Sequence, residues 1–298
     1  MRRTANRPVS IACVCGDLGN EAEFLRLTEE AAAQKPDLVV LPEVWQGWGV
    51  DVNRARSLAR MREIASKYGV YIIHTTIREE GGKSYNTSLV LGRDGQSMGQ
   101  YDKVYPYWGE LPPADRVWPG QAVRTFDLDF GRIAILVCFD ANYPNAWESA
   151  ARQGAELIIF SSAYGAGMQL AAHALNYHYP IVSATLGGYS MGFDIDGRRT
   201  VDVKSEGERF VQFYELDLDR CIFHENFNTD KLEKLLGESP RRVEVEKHWP
   251  AEQWIIVRSA KAGESARSVC AEASMEELRQ YKFRSRAAID KMRGGEIS

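Results

Sequence analysis

Three reactive side chains lie next to apolar or aromatic segments of this chain. Cys138 ends the apolar run 132–138, Glu43 follows the run 38–41, and Lys103 precedes an aromatic segment. A thiol, a carboxylate and an ammonium group can together perform nucleophilic catalysis. One group attacks, one moves the proton, and one stabilises developing negative charge.

Each of these residues also has an ordinary structural interpretation. Cys138 could be a small core residue, Glu43 a solvated loop carboxylate, and Lys103 a surface lysine. The apolar run before Glu43, with Trp45 and Trp48 after it, predicts a poorly hydrated carboxylate that would be a competent base. The aromatic residues after Lys103 predict a partly buried ammonium group, which needs a carboxylate or an oxyanion as partner.

The elements that must position these residues alternate between strands and helices. In the first half we predict strands at 9–15, 37–41 and 70–77, helices at 20–33 and 52–68, and a hairpin over 86–101. In the second half we predict strands at 134–137, 156–160 and 181–185, helices at 145–153 and 168–177, and β-rich hairpins over 189–216. Two such halves predict an α/β fold, a four-layer α-β-β-α sandwich with two central mixed β-sheets. Glu43 and Cys138 should then meet at one sheet edge.

Composition and charge exclude several classes of function. The chain has 298 residues and a formal net charge of -4, with lysine and arginine scattered along it. This pattern predicts no nucleic-acid partner and no attraction to an anionic membrane. The N-terminus is basic, but the apolar run after it is broken by Gly16 and Asp17 and is too short for a signal sequence or a membrane span. We therefore expect a cytoplasmic protein.

The cysteine pattern gives no sign of a disulfide framework or a metal site. The five cysteines are an odd number, and none forms a Cys-x-x-Cys pair or lies near histidine at zinc-ligand spacing. Cys13 and Cys15 alternate within one strand, so both should face the same side as packing residues.

The absence of a Pro/Ser-rich linker predicts a single domain over 1–298, with a core at about 8–217. The extension 218–298 is polar and charged, with helical patterns at 229–236 and 274–292. We expect it to have little core of its own and to pack on the body or on a neighbouring subunit; a partly disordered end is the alternative.

Four segments of the chain resemble the carbon-nitrogen hydrolase (nitrilase) superfamily over about residues 8–217. They are Leu41-Pro-Glu43, Tyr101-Asp-Lys103, Trp118-Pro-Gly120 and Val137-Cys-Phe-Asp140. The resemblance implies that Cys138 is the nucleophile, that Glu43 is the general base and acid, and that Lys103 stabilises the oxyanion. It also implies that the backbone N–H of Phe139 is a second oxyanion donor and that Glu110 orients the lysine. This chemistry needs no cofactor and no metal.

The residues after the nucleophile resemble those of amide-cleaving branches, because Cys138-Phe-Asp140 stands where nitrile-cleaving members commonly have Cys-Trp-Glu. We expect a small linear amide or carbamoyl substrate, cleaved with water. Aromatic and polar residues on nearby loops are the predicted substrate-binding positions, namely Phe139, Asn142, Tyr143, Trp108 and Tyr164.

Several alternatives stay open at this stage. They are an N-carbamoyl amidohydrolase, a nitrile hydrolase, an acyltransferase, and a catalytically silent binding relative. The last is left open by Leu175, which stands where the family usually has glutamate, although Asn176 beside it matches. His173 and His178 could line the pocket or belong to the core. The resemblance also implies a homo-oligomer built on dimers, through the small residues of the helices at 145–153 and 168–177.

Overall fold

The computed structural model describes residues 8–18, 20–48, 53–112, 117–205 and 208–295. Val52, the predicted start of the second helix, lies outside the described residues, as does the basic stretch before Pro8. The chain divides into two compact units, the first formed by Val9–Leu216 and the second containing Asp217 and the described residues after it.

The first unit is built from strands that alternate with helices. Its strands are β1 (Val9–Cys15), β2 (Leu38–Val40), β3 (Tyr71–Glu80), β4 (Lys83–Leu91), β5 (Ser97–Asp102), β6 (Thr125–Leu128), β7 (Gly131–Val137), β8 (Leu157–Ser162), β9 (Ile181–Thr185), β10 (Tyr189–Phe193), β11 (Arg199–Lys204) and β12 (Phe210–Leu216). Its helices are α1 (Glu21–Ala33), α2 (Arg54–Tyr68), α3 (Pro144–Arg152) and α4 (Gly167–Tyr177).

The strands form two six-stranded mixed sheets. The first has the order β12-β1-β2-β3-β4-β5, and the second has the order β11-β10-β9-β8-β7-β6. The central strands β1, β2 and β3 are parallel, as are β7, β8 and β9, while the outer strands pair antiparallel. Parallel pairing follows from the helical crossovers, because two parallel strands cannot be joined by a tight turn.

The two sheets face each other, and helices cover their outer sides. Thr75 Oγ1 of β3 lies 3.0 Å from Ser161 Oγ of β8, so hydroxyl groups bridge the sheets. Apolar residues of α1 and α2, among them Phe24 and Ile64, pack against the first sheet. Trp147 of α3 lies beside Phe160 of β8 in the second sheet. The predicted four-layer α-β-β-α sandwich is therefore confirmed.

Local signals in the sequence account for several element boundaries. The side chain of Asn20 accepts a hydrogen bond of 3.1 Å from the backbone N–H of Glu23, so Asn20 is the N-cap of α1. Cys13 and Cys15 are both fully buried, which confirms the packing interpretation. Strand β6 is absent from our predictions; it is only four residues long, and its pattern is too short to stand out.

The second unit has a sheet and a core of its own. Its elements are β13 (Cys221–His224), α5 (Thr229–Glu238), β14 (Val243–Trp249), β15 (Trp254–Ser259), α6 (Ala266–Glu272) and α7 (Leu278–Arg293). The strands pair in the order β13-β15-β14, and Phe223, Leu232, Val257 and Cys270 belong to one apolar cluster. The prediction of little core beyond Asp219 is wrong, because short apolar segments separated by charged ones converge only after folding.

Within the described residues, no helix combines the length and the apolar character needed to span a membrane. That the whole chain acts as one domain, and that its C-terminal part packs on the body or on a neighbouring subunit, stay predictions.

Candidate active site

Lys103 lies between two buried carboxylates. Its Nζ donates hydrogen bonds to Glu43 Oε1 at 2.8 Å and to Glu110 Oε2 at 2.6 Å. The three side chains are almost fully buried, with residue exposures of 1% for Lys103, 2% for Glu43 and 5% for Glu110. The structure therefore brings together the three charged residues that the sequence analysis selected from separate segments.

Glu43 follows β2, at the place where the ends of strands from both sheets lie close together. Ser161 of β8 donates through Oγ to the carbonyl of Leu41 at 2.8 Å, which ties the end of β2 to the second sheet. The backbone N–H of Ala163, just past β8, donates to Glu43 Oε2 at 3.0 Å. One carboxylate oxygen thus faces the lysine, and the other faces the strand ends of the second sheet.

The segment Trp118-Pro-Gly120 fixes the loop that carries Lys103. The backbone N–H of Gly120 donates to the Lys103 carbonyl at 2.8 Å, and that of Val117 donates to the Glu110 carbonyl at 2.9 Å. A Cβ added at Gly120 would lie 2.1 Å from the carbonyl oxygen of Asp102. This close approach of two backbones explains why the position requires glycine.

Asn86 is a site residue that the sequence analysis missed. It lies on β4, is fully buried, and donates through Nδ2 to Glu43 Oε1 at 2.7 Å and to Glu110 Oε1 at 3.0 Å. Its backbone carbonyl also accepts the N–H of Lys103 at 2.8 Å. One residue thus holds both carboxylates through its side-chain amide and the lysine backbone through its own carbonyl. The one available signal was a polar residue on the buried face of a predicted strand.

Cys138 begins a 3-10 turn, Cys138–Asn142, directly after β7. Its φ angle is +49°, in the left-handed region that side chains other than glycine rarely adopt, and the residue is 9% exposed. Burial raises the pKa of the Cys138 thiol well above its usual value, the charge of Glu43 adds to this, and Lys103 opposes it. At neutral pH the thiol is therefore protonated, within the influence of a carboxylate that can remove the proton.

Lys103 remains charged despite its burial. Burial alone would lower its pKa, but the charges of Glu43 and Glu110 outweigh this and raise the pKa above its ordinary value. This direction agrees with the expectation that a buried ammonium group needs carboxylate partners.

Aromatic side chains surround the Cys138 turn. The Phe139 ring packs edge-on against Tyr107 and Tyr143, with ring centroids 5.6 and 5.8 Å apart. Tyr143 in turn stacks on Tyr105 at 3.9 Å. These contacts place two of the predicted substrate-binding residues, Phe139 and Tyr143, in one aromatic cluster next to Cys138.

Two further predicted residues belong to a polar group on the other side of the turn. Asn142 Oδ1 accepts a hydrogen bond from Gln169 Nε2 at 2.7 Å, and the Tyr164 hydroxyl donates to Gln169 Oε1 at 3.4 Å. Burial raises the pKa of Tyr164 to about 12, and the charge of Cys138 contributes to this shift, so the phenol lies near the thiol. Gln169, on α4, is a second residue that the sequence analysis did not select.

The remaining predicted positions lie further from the reacting groups. The Trp108 indole is 76% exposed, so it lies on the surface beside Glu110. His173 and His178 are buried, and His173 stacks on Trp147 with ring centroids 4.2 Å apart. Both histidines therefore belong to the core.

A sequence model described as "Carbon-nitrogen hydrolase" matches residues 18–223. The match covers more than half of the chain and includes Glu43, Lys103, Glu110 and Cys138. The chain belongs to the carbon-nitrogen hydrolase family.

The chain is similar to curated proteins over less than half of its length. It is 28% identical over 153 residues to omega-amidase NIT2 of Danio rerio, a match that covers 46% of this chain and 55% of that protein. It is 32% identical over 162 residues to the probable hydrolase YhcX of Bacillus subtilis, covering 48% of this chain and 30% of that one. The matched stretch thus spans about half of the omega-amidase relative.

Solved structures of an amidase from Nesterenkonia sp. AN1 share the fold. One variant, from the nitrilase superfamily, aligns with a TM-score of 0.63 at 20% identity, over 79% of this chain and 98% of that chain. Another carries the acetamide moiety of fluoroacetamide added covalently at its active-site cysteine; it aligns with a TM-score of 0.63 at 19% identity, over 76% of this chain and 96% of that chain.

Proposed function

We propose that this protein is a cysteine-dependent hydrolase that cleaves the carbon-nitrogen bond of a small linear amide or carbamoyl compound. The bond is not a peptide bond, and the reaction passes through an acyl-thioester on Cys138 and releases ammonia or an amine. The observation that carries the proposal is the charged Lys103, held between Glu43 and Glu110 beside a protonated thiol.

In the first step the Cys138 sulfur attacks the amide carbon while Glu43 takes the thiol proton. A carbon-sulfur bond forms, and the carbonyl electrons move onto oxygen. Lys103 stabilises this oxyanion, with the backbone N–H of Phe139 as second donor. The carbon-nitrogen bond then breaks, and the leaving nitrogen takes the proton from Glu43. This leaves a neutral amine or ammonia and an acylated Cys138.

In the second step the freed Glu43 carboxylate removes a proton from water as the water oxygen attacks the thioester. Lys103 again stabilises the oxyanion. When the carbon-sulfur bond breaks, the sulfur regains its proton from Glu43 and the acid product leaves. Glu110 takes no proton in this scheme. It accepts one hydrogen bond from Lys103 and another from Asn86, and through these contacts Glu110 and Asn86 orient Lys103.

The acyl group is proposed to lie against the aromatic cluster of Phe139 and Tyr143, with Asn142 and Tyr164 on its polar side. Trp108 is proposed to contact the part of the substrate that extends toward solvent. Cleavage of amides rather than nitriles is supported by Asp140 after the nucleophile and by the amidase relatives. An N-carbamoyl substrate is the second candidate, since carbamoyl compounds present the same carbon to the thiol.

A panel of amides, carbamoyl compounds and nitriles, assayed for ammonia or amine release, tests the proposal. We expect release from at least one amide or carbamoyl compound, and its loss in Cys138→Ala. Cys13→Ala is the matched control, because it removes a buried thiol away from the site. Release that persists in Cys138→Ala, or no turnover of any compound by the wild type, would contradict the proposal.

We also propose that the protein acts in the cytoplasm as a homo-oligomer built on dimers that pack through α3 and α4. Support comes from Ala171 and Ala172 of α4, which are not buried within this chain. Ala146 and Ala150 of α3, which the sequence analysis placed in the same interface, are buried in the core and give no support. Light scattering of the purified chain tests the assembly, and cell fractionation tests the location.

A further inference from the structure

Asp140 receives hydrogen bonds from both sides of the site. It is fully buried, its Oδ2 accepts from the Tyr101 hydroxyl at 2.7 Å and from the backbone N–H of Val137 at 2.8 Å, and its Oδ1 accepts from the backbone N–H of Tyr105 at 2.9 Å. Val137 immediately precedes Cys138, while Tyr101 and Tyr105 flank Lys103. The carboxylate therefore connects the two segments that carry the nucleophile and the lysine.

These two segments come from different sheets. Tyr101 lies on β5 of the first sheet, and Val137 ends β7 of the second sheet. The turn that Asp140 holds contains Cys138 at a left-handed φ, a conformation that persists only where surrounding contacts impose it. Two further contacts fix the same turn: Trp147 Nε1 donates to the Asp140 carbonyl, and His173 Nε2 donates to that of Ala141, both at 2.9 Å.

We infer that Asp140 is a positioning residue, which together with Tyr101 holds the Cys138 turn against the Lys103 loop for the proposed reaction. The inference rests on the proposed function, since it assigns Asp140 a role in that same chemistry. Asp140 touches neither the substrate nor the reacting atoms. Its effect should therefore appear in the rate of attack by Cys138 rather than in substrate affinity.

The partners of Asp140 require its ionised form. Two of them are backbone N–H groups, and the Tyr101 hydroxyl already accepts the Val104 N–H at 3.2 Å, so its proton points at Asp140. A protonated Asp140 could donate its O–H only to the Tyr101 oxygen among these groups. The Tyr101 proton would then have to turn away from Asp140, so at least one of the present hydrogen bonds would be lost.

Protonation of Asp140 falls in an accessible pH range. Burial raises the pKa of Asp140 to about 6, while hydrogen bonds from Val137 and Tyr101 and the charge of Lys103 oppose the rise. Of the titratable side chains around it, burial raises the pKa of Tyr101 well above its ordinary value, so the phenol keeps its proton near pH 6. Burial lowers the pKa of His173, which disfavours the charged form of its imidazole. Lys103 stays charged there, because the charges of its carboxylate partners raise its pKa.

Protonation of Asp140 should have opposite effects on the stability of the folded state and on the positioning of Cys138. The folded-state pKa of Asp140 lies above the ordinary aspartate value, so the folded protein binds this proton more readily than the unfolded chain. Protonation of Asp140, as the pH falls through about 6, therefore stabilises the folded state. The same protonation weakens the contacts that position Cys138. Loss of Cys138 reactivity near this pH should precede unfolding.

Alkylation of Cys138 by fluoroacetamide, followed by intact mass and peptide mapping, tests the inference without any need for turnover. The variants are Asp140→Asn and Tyr101→Phe, and the matched control is Tyr214→Phe. Tyr214 is buried and its hydroxyl bridges the two sheets to Ser190 Oγ at 2.6 Å, so the control removes a similar hydroxyl away from the site.

We expect Asp140→Asn to slow alkylation by about 10-fold or more, since small displacements of a reacting group carry large rate penalties. Tyr101→Phe should slow it by a smaller factor, roughly 3- to 5-fold, because one hydrogen bond of ordinary strength is lost while the backbone N–H groups of Val137 and Tyr105 still hold Asp140. It should also move the acidic midpoint of the rate to higher pH, because the lost bond had lowered the pKa of Asp140. Tyr214→Phe should stay within about 2-fold of wild type.

A folded Asp140→Asn that reacts at the wild-type rate would overturn the inference, as would an unmoved midpoint in Tyr101→Phe. If Asp140→Asn does not fold, the comparison of Tyr101→Phe with Tyr214→Phe decides alone, and equal effects would overturn it. Wild-type protein that is not labelled at Cys138 would also overturn it. Failure of the proposed function is a separate result, because it appears as absent turnover while the alkylation rates still differ as expected.

Discussion

Replacing Lys103 with methionine would leave Glu43 and Glu110 buried beside a neutral side chain. The lysine is 1% exposed and donates to one oxygen of each carboxylate, at 2.8 and 2.6 Å. Removing one partner of a buried ion pair costs about 3–5 kcal/mol, because the remaining charge loses its compensation. Asn86 still donates to both carboxylates, so we expect the lower end, about 3 kcal/mol of unfolding free energy at neutral pH.

The size of this loss should depend on pH. Two buried carboxylates that share one amide donor cannot both stay ionised without a cation, so one of them takes up a proton more readily than it would in the unfolded chain. The folded variant then binds more protons than the unfolded chain, and its stability relative to wild type should recover as the pH falls. Urea unfolding of both proteins, at about pH 7.5 and about pH 5.5, measures this difference.

Two controls make the result interpretable. Lys67→Met removes an exposed lysine that pairs with Glu29 at 2.8 Å, and should cost less than about 1 kcal/mol. Adding Glu110→Gln to Lys103→Met removes one of the uncompensated charges and should restore part of the stability. A loss below about 1 kcal/mol in Lys103→Met, or a loss that does not change with pH, would refute the reasoning.

Three further predictions concern the support of the site. Asn86→Leu removes the amide shared by the two carboxylates and should lower kcat by about 10-fold or more, with a smaller change in KM, measured on the amide that the wild type turns over. Gly120→Ala forces a Cβ against the Asp102 carbonyl and should cost about 2–4 kcal/mol in urea unfolding; Gly237→Ala, with open space around it, should cost nothing or stabilise. Burial lowers the pKa of His74 to about 3, so protonation of the unfolded chain should cost about 2 kcal/mol of stability between pH 6.5 and pH 5. His74→Gln should lose less over that range; an equal loss in both proteins would contradict this.

The sequence was most informative where an element of regular structure ends in a reactive residue. Strands β1 and β9 begin and end at the predicted residues. The predicted meeting of Glu43 and Cys138 follows from the rule that parallel strands present their carboxyl ends at one sheet edge. The contacts of Lys103 with both glutamates could be expected only through the family resemblance, since no local sequence pattern relates these three residues.

Contacts between distant segments were the part that the sequence could not supply. Asn86 lies on a strand whose alternation indicates which side chains turn inward, but not that its amide meets two carboxylates. From the sequence, Asp140 served only as a marker of amide-cleaving branches. Its contacts could not be predicted, because the three groups that donate to it come from two different segments. The sheet of the second unit was missed for a similar reason: β13 and β15 are short and are separated by more than 25 residues of charged sequence.

The central claim is that Cys138 carries the acyl group of an amide substrate. Intact mass of the protein, mixed with a substrate amide and quenched within one turnover, tests this most directly. We predict an adduct equal to the substrate less the released ammonia or amine, mapped to the peptide that contains Cys138. The adduct should be absent in Cys138→Ala and should form more slowly in Glu43→Gln. An adduct on another residue, or turnover without any adduct and unchanged by Cys138→Ala, would contradict the account.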